Sequence, residues 1–282
     1  MANFTNTASV SYNDVITNSN TVHGRILESA TVTKTLLSSS YTSDGTLIYA
    51  VSITNPTDGV LSDVTVSDNM GAYVFEGTTL YPLEYSTGSA KLFVNGALVP
   101  VTDVTAGPPT VFGGIDIPAG GGALLIYEAN ITSCAPLARG SQIINTATVT
   151  GANCAFPVSA SASANVSYGA RLTVSKFISP ETICGGGEIT YTVVIRNSGN
   201  RDTVASDNVV VNDVFDPALS DLCVSVDGNV LPLSCYHYDS TTGDFETLPG
   251  AITVPAATFV RDGDGALNVT PGTTVLKITG NI

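Results

Sequence analysis

Hydrophobic and polar residues alternate along most of the chain, in short runs separated by clusters of Gly, Pro, Asn and Asp. Alternation with a period of two is typical of β-strands that bury one face, and helical periodicity is nearly absent. Regularly spaced short strands with turns between them predict an all-β protein made of Ig-like β-sandwiches. The runs that indicate strands span residues 47–53, 60–66, 91–94, 124–131, 143–149, 189–195, 209–214 and 274–278.

The strand pattern occurs twice along the chain. Residues 32–34 and 46–55 return as residues 174–176 and 188–197, so that Lys34 corresponds to Lys176 at a constant offset of 142 positions. Repetition of this kind indicates a duplicated structural unit. We therefore predict an N-terminal arm of residues 1–28 followed by two tandem β-sandwich domains, residues 29–168 and 169–282.

The two copies differ at their ends. After Ile131 the first copy continues into a strand that contains Asn145 to Val149, whereas the second copy has no counterpart of this strand after Ile282. A matching segment, Asn6 to Val10, lies in the N-terminal arm. We expect the second domain to lack its closing strand, and we expect the arm to be the closing hairpin of such a domain.

An incomplete sandwich exposes a strand edge and part of its apolar core, and an extended segment can fill the gap by adding a strand. We expect the arm to insert into the second domain of a neighbouring copy, which is donor-strand complementation. Such a contact is heterologous, so its repetition predicts an open head-to-tail homopolymer. The arm residues predicted to share the interface face are Phe4, Asn6, Ala8, Val10 and Tyr12.

Polar residues of three types fall in phase with apolar neighbours and are predicted to point into the two cores. Burial favours a neutral lysine amine and a protonated acid. Such an amine can attack an asparagine carboxamide with loss of ammonia while the acid polarises the amide. The pattern predicts autocatalytic isopeptide bonds, and a hydrogen-bonded cluster without the bond, or an alternation displaced by one residue, is the alternative. The candidates are Lys34, Asp68 and Asn145 within a subunit, and Lys176 and Asp213 with Asn6 of the neighbouring subunit.

Five cysteines are present, and none forms a CxxC pair. Cys223 and Cys235 flank an Asp227-Gly228 turn signal, so a disulfide across a hairpin is possible. An odd number of cysteines leaves at least one thiol unpaired within the chain. The alternative is that all five are buried and reduced.

Composition narrows the function classes. With 24 acidic and 10 basic side chains, the formal net charge is −14, which argues against binding nucleic acid or anionic membranes. Two histidines and no tryptophan leave little basis for histidine catalysis, zinc binding or aromatic sugar platforms. The segment 262–265 resembles a calcium loop only weakly, and a solvated turn is the better interpretation. We expect a structural protein without enzymatic activity, metal or cofactor.

No apolar run is long enough to span a membrane, so membrane insertion is not expected. The first residues carry neither the basic nor the apolar region of a Sec signal. Either a signal precedes this sequence or the protein leaves the cell by another route, such as lysis of the producing cell.

Several segments resemble the bacterial surface conserved-repeat domain of unknown function. They are Lys34 with its neighbours Val32 to Thr35, Tyr49 to Asn55, Val64 to Asp68, and Asn145 to Val149. The resemblance implies extracellular β-sandwich modules in tandem arrays, although the second domain departs from it by lacking the Asn-Thr-Ala strand. In size and domain content the chain is similar to clostridial spore-appendage proteins, which implies display on a spore surface or appendage after mother-cell lysis. The cell surface is the alternative location.

These observations favour a structural subunit that self-assembles into an extracellular fibre. The alternative function is a cell-surface adhesin or ligand-binding module that does not polymerise.

Overall fold

A computed structural model describes residues 2–26, 28–152, 155, 157–263 and 265–282. The chain is built from β-strands, with two single-turn 3-10 helices at Ala205–Asp207 and Leu233–Cys235. The predicted all-β sandwich fold is therefore confirmed. Across the described residues, no helix has the length and apolar character that crossing a bilayer requires.

The chain divides into two compact units, residues 1–136 with 141–166, and residues 137–140 with 167–282. The segment 137–140 belongs to the second unit because its groups bind there. Asn200 Nδ2 donates to the Leu137 carbonyl at 3.1 Å, and the Arg139 guanidinium lies 4.7 Å from the centre of the Tyr168 ring.

Residues 2–26 form one antiparallel hairpin, hereafter the N-terminal hairpin. Asn13 and Asp14 make its turn with φ of 46° and 61°, which matches the turn type that joins two closely paired strands. Farther from the turn, Ser19 N donates to Ala8 O at 2.8 Å. One bulged residue on the returning strand lies between the pair Ser9–Asn18 and the pair Asn6–Val22. The strands are β1 (Ala2–Asn6), β2 (Ser9–Tyr12), β3 (Val15–Asn18) and β4 (Val22–Ile26), with β1 paired to β4 and β2 to β3.

The rest of the first unit contains two larger sheets. One has the strand order β13-β12-β16-β7-β5, with β11 also on β16, and the other has the order β14-β15-β8-β17-β18-β6. A small hairpin of β9 and β10 lies outside both sheets. The bounds are β5 (Thr31–Leu36), β6 (Ser40–Tyr41), β7 (Thr46–Thr54), β8 (Leu61–Asp68), β9 (Tyr73–Phe75), β10 (Thr78–Leu80), β11 (Leu83–Tyr85), β12 (Lys91–Val94), β13 (Ala97–Val99), β14 (Asp103–Thr105), β15 (Thr110–Ile117), β16 (Gly122–Ile131), β17 (Gln142–Thr150) and β18 (Val158–Val166).

The second unit has one five-stranded sheet, in the order β19-β20-β28-β22-β23, and one three-stranded sheet, in the order β21-β25-β24. Strands β26 and β27 form a separate hairpin. The bounds are β19 (Leu172–Ser179), β20 (Glu188–Asn197), β21 (Asn212–Val214), β22 (Ser220–Val226), β23 (Asn229–Val230), β24 (Tyr236–Tyr238), β25 (Asp244–Thr247), β26 (Thr258–Arg261), β27 (Leu267–Thr270) and β28 (Gly272–Asn281).

The two units repeat the same local geometry. Tyr49 lies opposite Tyr127 across β7 and β16, and Tyr191 lies opposite Ile278 across β20 and β28. The turn before β7 and the turn before β20 close with the same backbone bond: Gly45 N donates to Thr42 O at 3.3 Å, and Gly187 N donates to Cys184 O at 2.9 Å. The offset of 142 residues therefore extends from β5 through this turn into β7.

The predicted strand over residues 209–214 is shorter in the structure, where β21 begins at Asn212. Its counterpart β8 is held on both edges, by β15 and by β17. Strand β21 pairs with β25 alone among the described strands.

The structure does not contain the disulfide proposed between Cys223 and Cys235, since both have free thiols. The hairpin that begins at β22 closes with Ser225 opposite Val230, and the chain then leaves this sheet. The Cys235 carbonyl accepts a hydrogen bond from Leu248 N at 2.8 Å, beside β25 rather than β22. Cys184 also has a free thiol, and Cys154 lies outside the described residues.

In the weak calcium-loop candidate, Asp264 also lies outside the described residues. Asp262 Oδ1 accepts a hydrogen bond from Ala266 N at 2.9 Å, as in an ordinary turn. Within the described part of the chain, no group of three or more His, Cys, Asp or Glu side chains is placed to hold a metal ion.

Candidate functional site

A buried ion pair joins the two sheets of the first unit. Lys34 Nζ, on β5, lies 2.5 Å from Asp68 Oδ2, at the end of β8, and both side chains have 0% solvent exposure. The Tyr127 hydroxyl donates to the same Asp68 oxygen, and Met70 N donates to the other carboxylate oxygen at 2.9 Å. Alternation along β5 and β8 turns both charged residues inward, as the sequence predicts.

Aromatic rings surround the lysine. Lys34 Nζ lies 4.7 Å from the ring centre of Tyr49 and 5.9 Å from that of Tyr127. Burial lowers the pKa of Lys34 to about 8, although the Asp68 carboxylate opposes the change. A larger fraction of Lys34 is therefore present as the neutral amine than for an exposed lysine at the same pH.

Asn145 lies in the same buried cluster. Ala147, two residues further along β17, pairs directly with Asp68 on β8. Asn145 itself is fully buried. Burial is the main cause of the raised pKa of Tyr49 and Tyr127, and the Asn145 carboxamide opposes the rise for both rings. The amide is thus close to the two rings that flank Lys34.

The hydrogen bonding of Asn145 is incomplete. Its Oδ1 accepts from Gly71 N at 3.2 Å, whereas its Nδ2 is buried and has no hydrogen-bond partner. The Tyr49 hydroxyl is also buried without a partner. Unpaired buried polar groups are costly, so each one needs an explanation.

A second pair of the same kind occurs in the second unit, with a different environment. Lys176 Nζ lies 2.5 Å from Asp213 Oδ2, but the two side chains are 42% and 15% exposed. Lys176 lies 4.6 Å from the Tyr191 ring centre and 5.5 Å from that of Phe215. Ile278 takes the position of Tyr127, so the second site has no corresponding phenol.

The face of β19 that carries Lys176 is uncovered. Leu172 is 42% exposed and Val174 is 67% exposed, whereas Ala30, the counterpart of Leu172, is 4% exposed. In the first unit β18 packs against β5. None of the described strands covers β19 in this way, and this explains the difference.

Strands β1 and β4 of the N-terminal hairpin have the register of the matching part of β17 and β18, the hairpin that covers β5. Phe4 pairs with Gly24 and Asn6 with Val22, as Ile143 pairs with Ala164 and Asn145 with Ala162. The two hairpins differ in burial. Phe4, on the N-terminal hairpin, is 54% exposed, whereas its counterpart Ile143, on β17, is 2% exposed. The interface residues proposed from the sequence are all exposed, and they are Phe4, Asn6, Ala8, Val10 and Tyr12.

The structure thus brings Lys34, Asp68 and Asn145 into one cluster, and brings Lys176 to Asp213. Asn6 is exposed on the hairpin. Sequence reasoning did not identify Tyr49 and Tyr127 as parts of the site. Both are in phase with buried apolar residues of β7 and β16, so the same alternation could have identified them.

The fold is similar to that of solved bacterial surface proteins. The major pilin subunit BcpA of Bacillus cereus is 12% identical with a TM-score of 0.37, over 96% of this chain and 73% of that one. The pilus backbone protein RrgB of Streptococcus pneumoniae is 10% identical with a TM-score of 0.35, over 86% of this chain and 55% of that one. A collagen-binding domain of a Staphylococcus aureus adhesin is 12% identical with a TM-score of 0.29, over 51% of this chain and 98% of that one. No protein-family model and no curated protein matches the sequence, and at these identities the likeness concerns the fold alone.

Proposed function

We propose that this protein is a structural, non-enzymatic subunit that assembles head to tail into a fibre. The N-terminal hairpin of one copy completes the second unit of the next copy. The observation that carries the proposal is a match within one chain. Strands β1 and β4 of the exposed hairpin have the register of β17 and β18, and no described strand covers the β19 face or pairs with the free edge of β21, where β17 and β18 would lie.

The composition of the hairpin face and of the β19 face supports another copy of this chain as the partner. The hairpin face is apolar except for Asn6 and for Thr17, which pairs with Val10, and the uncovered face of β19 is apolar except for Lys176. Docking in the register of β17 would set Ala8 opposite Asp213, as Ala147 lies opposite Asp68. Asn6 would then approach the Lys176–Asp213 pair as Asn145 approaches Lys34 and Asp68.

We also propose that isopeptide bonds lock the fibre, Lys34 to Asn145 within a subunit and Lys176 to Asn6 between subunits. The neutral lysine amine attacks the amide carbon Cγ, an Nζ–Cγ bond forms, and the Cγ–Nδ2 bond breaks. Nδ2 leaves as ammonia with a proton from the lysine, which the aspartic acid can relay. The unpaired Nδ2 of Asn145 supports the first bond, because the reaction removes this buried donor.

Negative-stain microscopy and size-exclusion chromatography of the full chain test the assembly. The wild type should form filaments. Val10→Asp, on the inward face of the hairpin, should stay monomeric, and Ser11→Asp, which adds the same charge on the opposite face, should form filaments. A monomeric wild type, or filaments of Val10→Asp like those of the wild type, would overturn the proposal and favour a non-polymerising adhesin or ligand-binding module.

A mixing experiment tests the head-to-tail direction. Val10→Asp disables the donor hairpin, and Val174→Asp places a charge on the acceptor face. Each variant should be monomeric alone, and a mixture should give heterodimers and nothing longer, because only one productive contact remains. Filaments in the mixture, or no association, would contradict this geometry.

The resemblance to spore-appendage proteins supports an extracellular location, and we propose display on the spore surface or an appendage. Immunogold labelling of the producing cells and of spores with antibodies to the folded protein tests this location. Label on fibres outside the spore is the expected result. Label confined to the cytoplasm would contradict the location without affecting the assembly proposal.

A further inference from the structure

We propose that Phe4 is the specificity anchor of the hairpin, and that it fills the space which Tyr41 occupies in the first unit and which Ile183 leaves partly vacant in the second. This inference rests on the proposed function and names the residues that direct the hairpin to the second unit. It follows from comparing the closed end of the first unit with the open end of the second.

Tyr41 and Ile183 are equivalent by the offset of 142 residues, and they also occupy equivalent places in the structure. Each precedes the turn that closes with the Gly45–Thr42 or Gly187–Cys184 backbone bond. Each turn also binds the end of the corresponding neighbouring strand, which is β16 in the first unit and β28 in the second. Ile131 N donates to Gly45 O at 2.9 Å, and Ile282 N donates to Gly187 O at 3.2 Å.

In the first unit Tyr41 completes the core beside the closing hairpin. Strand β6 runs parallel to β18 with Tyr41 beside Val166, and Tyr41 and Ile143 are each 2% exposed. The core at this end therefore holds one aromatic ring from β6 and one aliphatic side chain from the hairpin. Ile183, the smaller counterpart of Tyr41, packs only partly buried against the core of the second unit.

In the N-terminal hairpin the larger side chain lies on the hairpin strand, unlike in the first unit. Phe4 stands in the place of Ile143, so the aromatic ring comes from the hairpin instead of from the acceptor. Gly24 stands in the place of Ala164, and the Phe4 ring lies over it: a Cβ atom at Gly24 would overlap the Phe4 ring atoms. Gly24 thus lets Phe4 lie flat across the inward face.

The two combinations are complementary in volume. Tyr41 with Ile143 and Ala164 fills the first unit, and Ile183 with Phe4 and Gly24 would fill the second. Protein cores are close-packed, so exchanging one member of such a set leaves either a void or an overlap. A hairpin with isoleucine in the place of Phe4, and with Gly24 kept, would therefore leave a cavity beside Ile183.

Compensating substitutions in the full chain test this inference. The variant Phe4→Ile, with Gly24 kept, removes the aromatic ring from the hairpin and adds no volume elsewhere. It should raise the critical concentration for filament formation roughly tenfold or more, because lost apolar contact and an unfilled cavity weaken each subunit contact. Adding Ile183→Tyr supplies an aromatic ring from the acceptor side, as Tyr41 does in the first unit, and should return the critical concentration to near the wild-type value.

The outcomes separate this inference from the proposed function. If the wild type forms filaments but Phe4→Ile does so equally well, Phe4 is not the anchor and the assembly proposal stands. If Ile183→Tyr fails to rescue Phe4→Ile while it leaves the circular dichroism and thermal unfolding of the monomer unchanged, the volume exchange is wrong. If the wild type does not assemble, the proposed function itself fails.

Discussion

Lys34 Nζ lies 2.5 Å from Asp68 Oδ2, with neither side chain exposed. Removing two charges from water is costly, and the cost is recovered only when the pair is close and well hydrogen-bonded. The Tyr127 hydroxyl and Met70 N supply these further bonds to the carboxylate. The equivalent Lys176–Asp213 pair has the same separation but remains accessible to water. Burial is therefore the main difference between the two sites: β18 packs against β5, and none of the described strands packs against β19 in this way.

The first prediction concerns the covalent bonds. Intact mass spectrometry of denatured Val10→Asp monomer should show the loss of one ammonia, and adding Lys34→Met or Asn145→Ala should restore the full mass. Denatured wild-type filaments should give a ladder of multimers that Lys176→Met reduces to monomers. An unchanged mass together with no ladder would leave only non-covalent clusters.

The second prediction concerns pH. The pKa of Lys34 is about 8 in the folded chain, below the ordinary lysine value of 10.5. Between these values the unfolded chain binds the proton and the folded chain does not, so the free energy of unfolding should rise with pH. We expect a slope of up to about 1.4 kcal/mol per pH unit in Asn145→Ala, which cannot form the bond.

The measurement is urea unfolding between about pH 8 and pH 9.5, below the range in which unfolded tyrosines lose their protons. The control is Lys34→Met combined with Asn145→Ala, which removes the titrating amine and should show a flatter profile. Parallel profiles for the two proteins would contradict the assignment to Lys34.

The third prediction compares the two stacked tyrosines. Tyr127→Phe removes a hydrogen bond to a buried carboxylate and should lower the free energy of unfolding by about 1–3 kcal/mol. Tyr49→Phe is the matched control, because the Tyr49 hydroxyl is buried without a partner, and it should be neutral or stabilising. Thermal and urea unfolding measure both changes, and equal losses would contradict the hydrogen-bond assignment.

The fourth prediction separates packing from backbone strain. A Cβ atom at Gly71 would lie 2.7 Å from Ile143 Cγ2, and φ at Gly71 is +69°. Gly88 also has positive φ, +82°, with nothing within 4 Å of a Cβ position. Gly88→Ala should cost about 1 kcal/mol from strain alone, and Gly71→Ala should cost about 1–3 kcal/mol more from overpacking. Similar losses in urea unfolding would show that the Gly71 site relaxes.

Much of the architecture follows from the sequence because alternation is a local property. The strands that contain Lys34, Asp68 and Asn145 can be predicted correctly from their own residues. The offset that relates Lys34 to Lys176 can be predicted in the same way. The shared face of the N-terminal hairpin, from Phe4 to Tyr12, is equally local, since antiparallel pairing does not change which side chains share a face.

Other features depend on which strands become neighbours, which no local pattern encodes. The predicted Cys223–Cys235 bridge fails because the chain leaves β22 after a single hairpin and Cys235 is bound beside β25 instead. Strand β21 pairs with β25 and begins at Asn212, later than the alternation from residue 209 predicts. The different exposure of Lys34 and Lys176, at identical ion-pair distances, depends on their strands: β18 covers β5, and no described strand covers β19 in the same way.

The sequence by itself therefore determined most of the strands, the repeat and the inward direction of the Lys34, Asp68 and Asn145 side chains, because steric alternation acts over adjacent residues. Only the tertiary structure decided that Tyr127 binds Asp68, that Asn145 Nδ2 is left without a partner, and that Phe4 lies over Gly24. These relationships join residues that are far apart in the chain, and they arise from the packing of sheets and the exclusion of water.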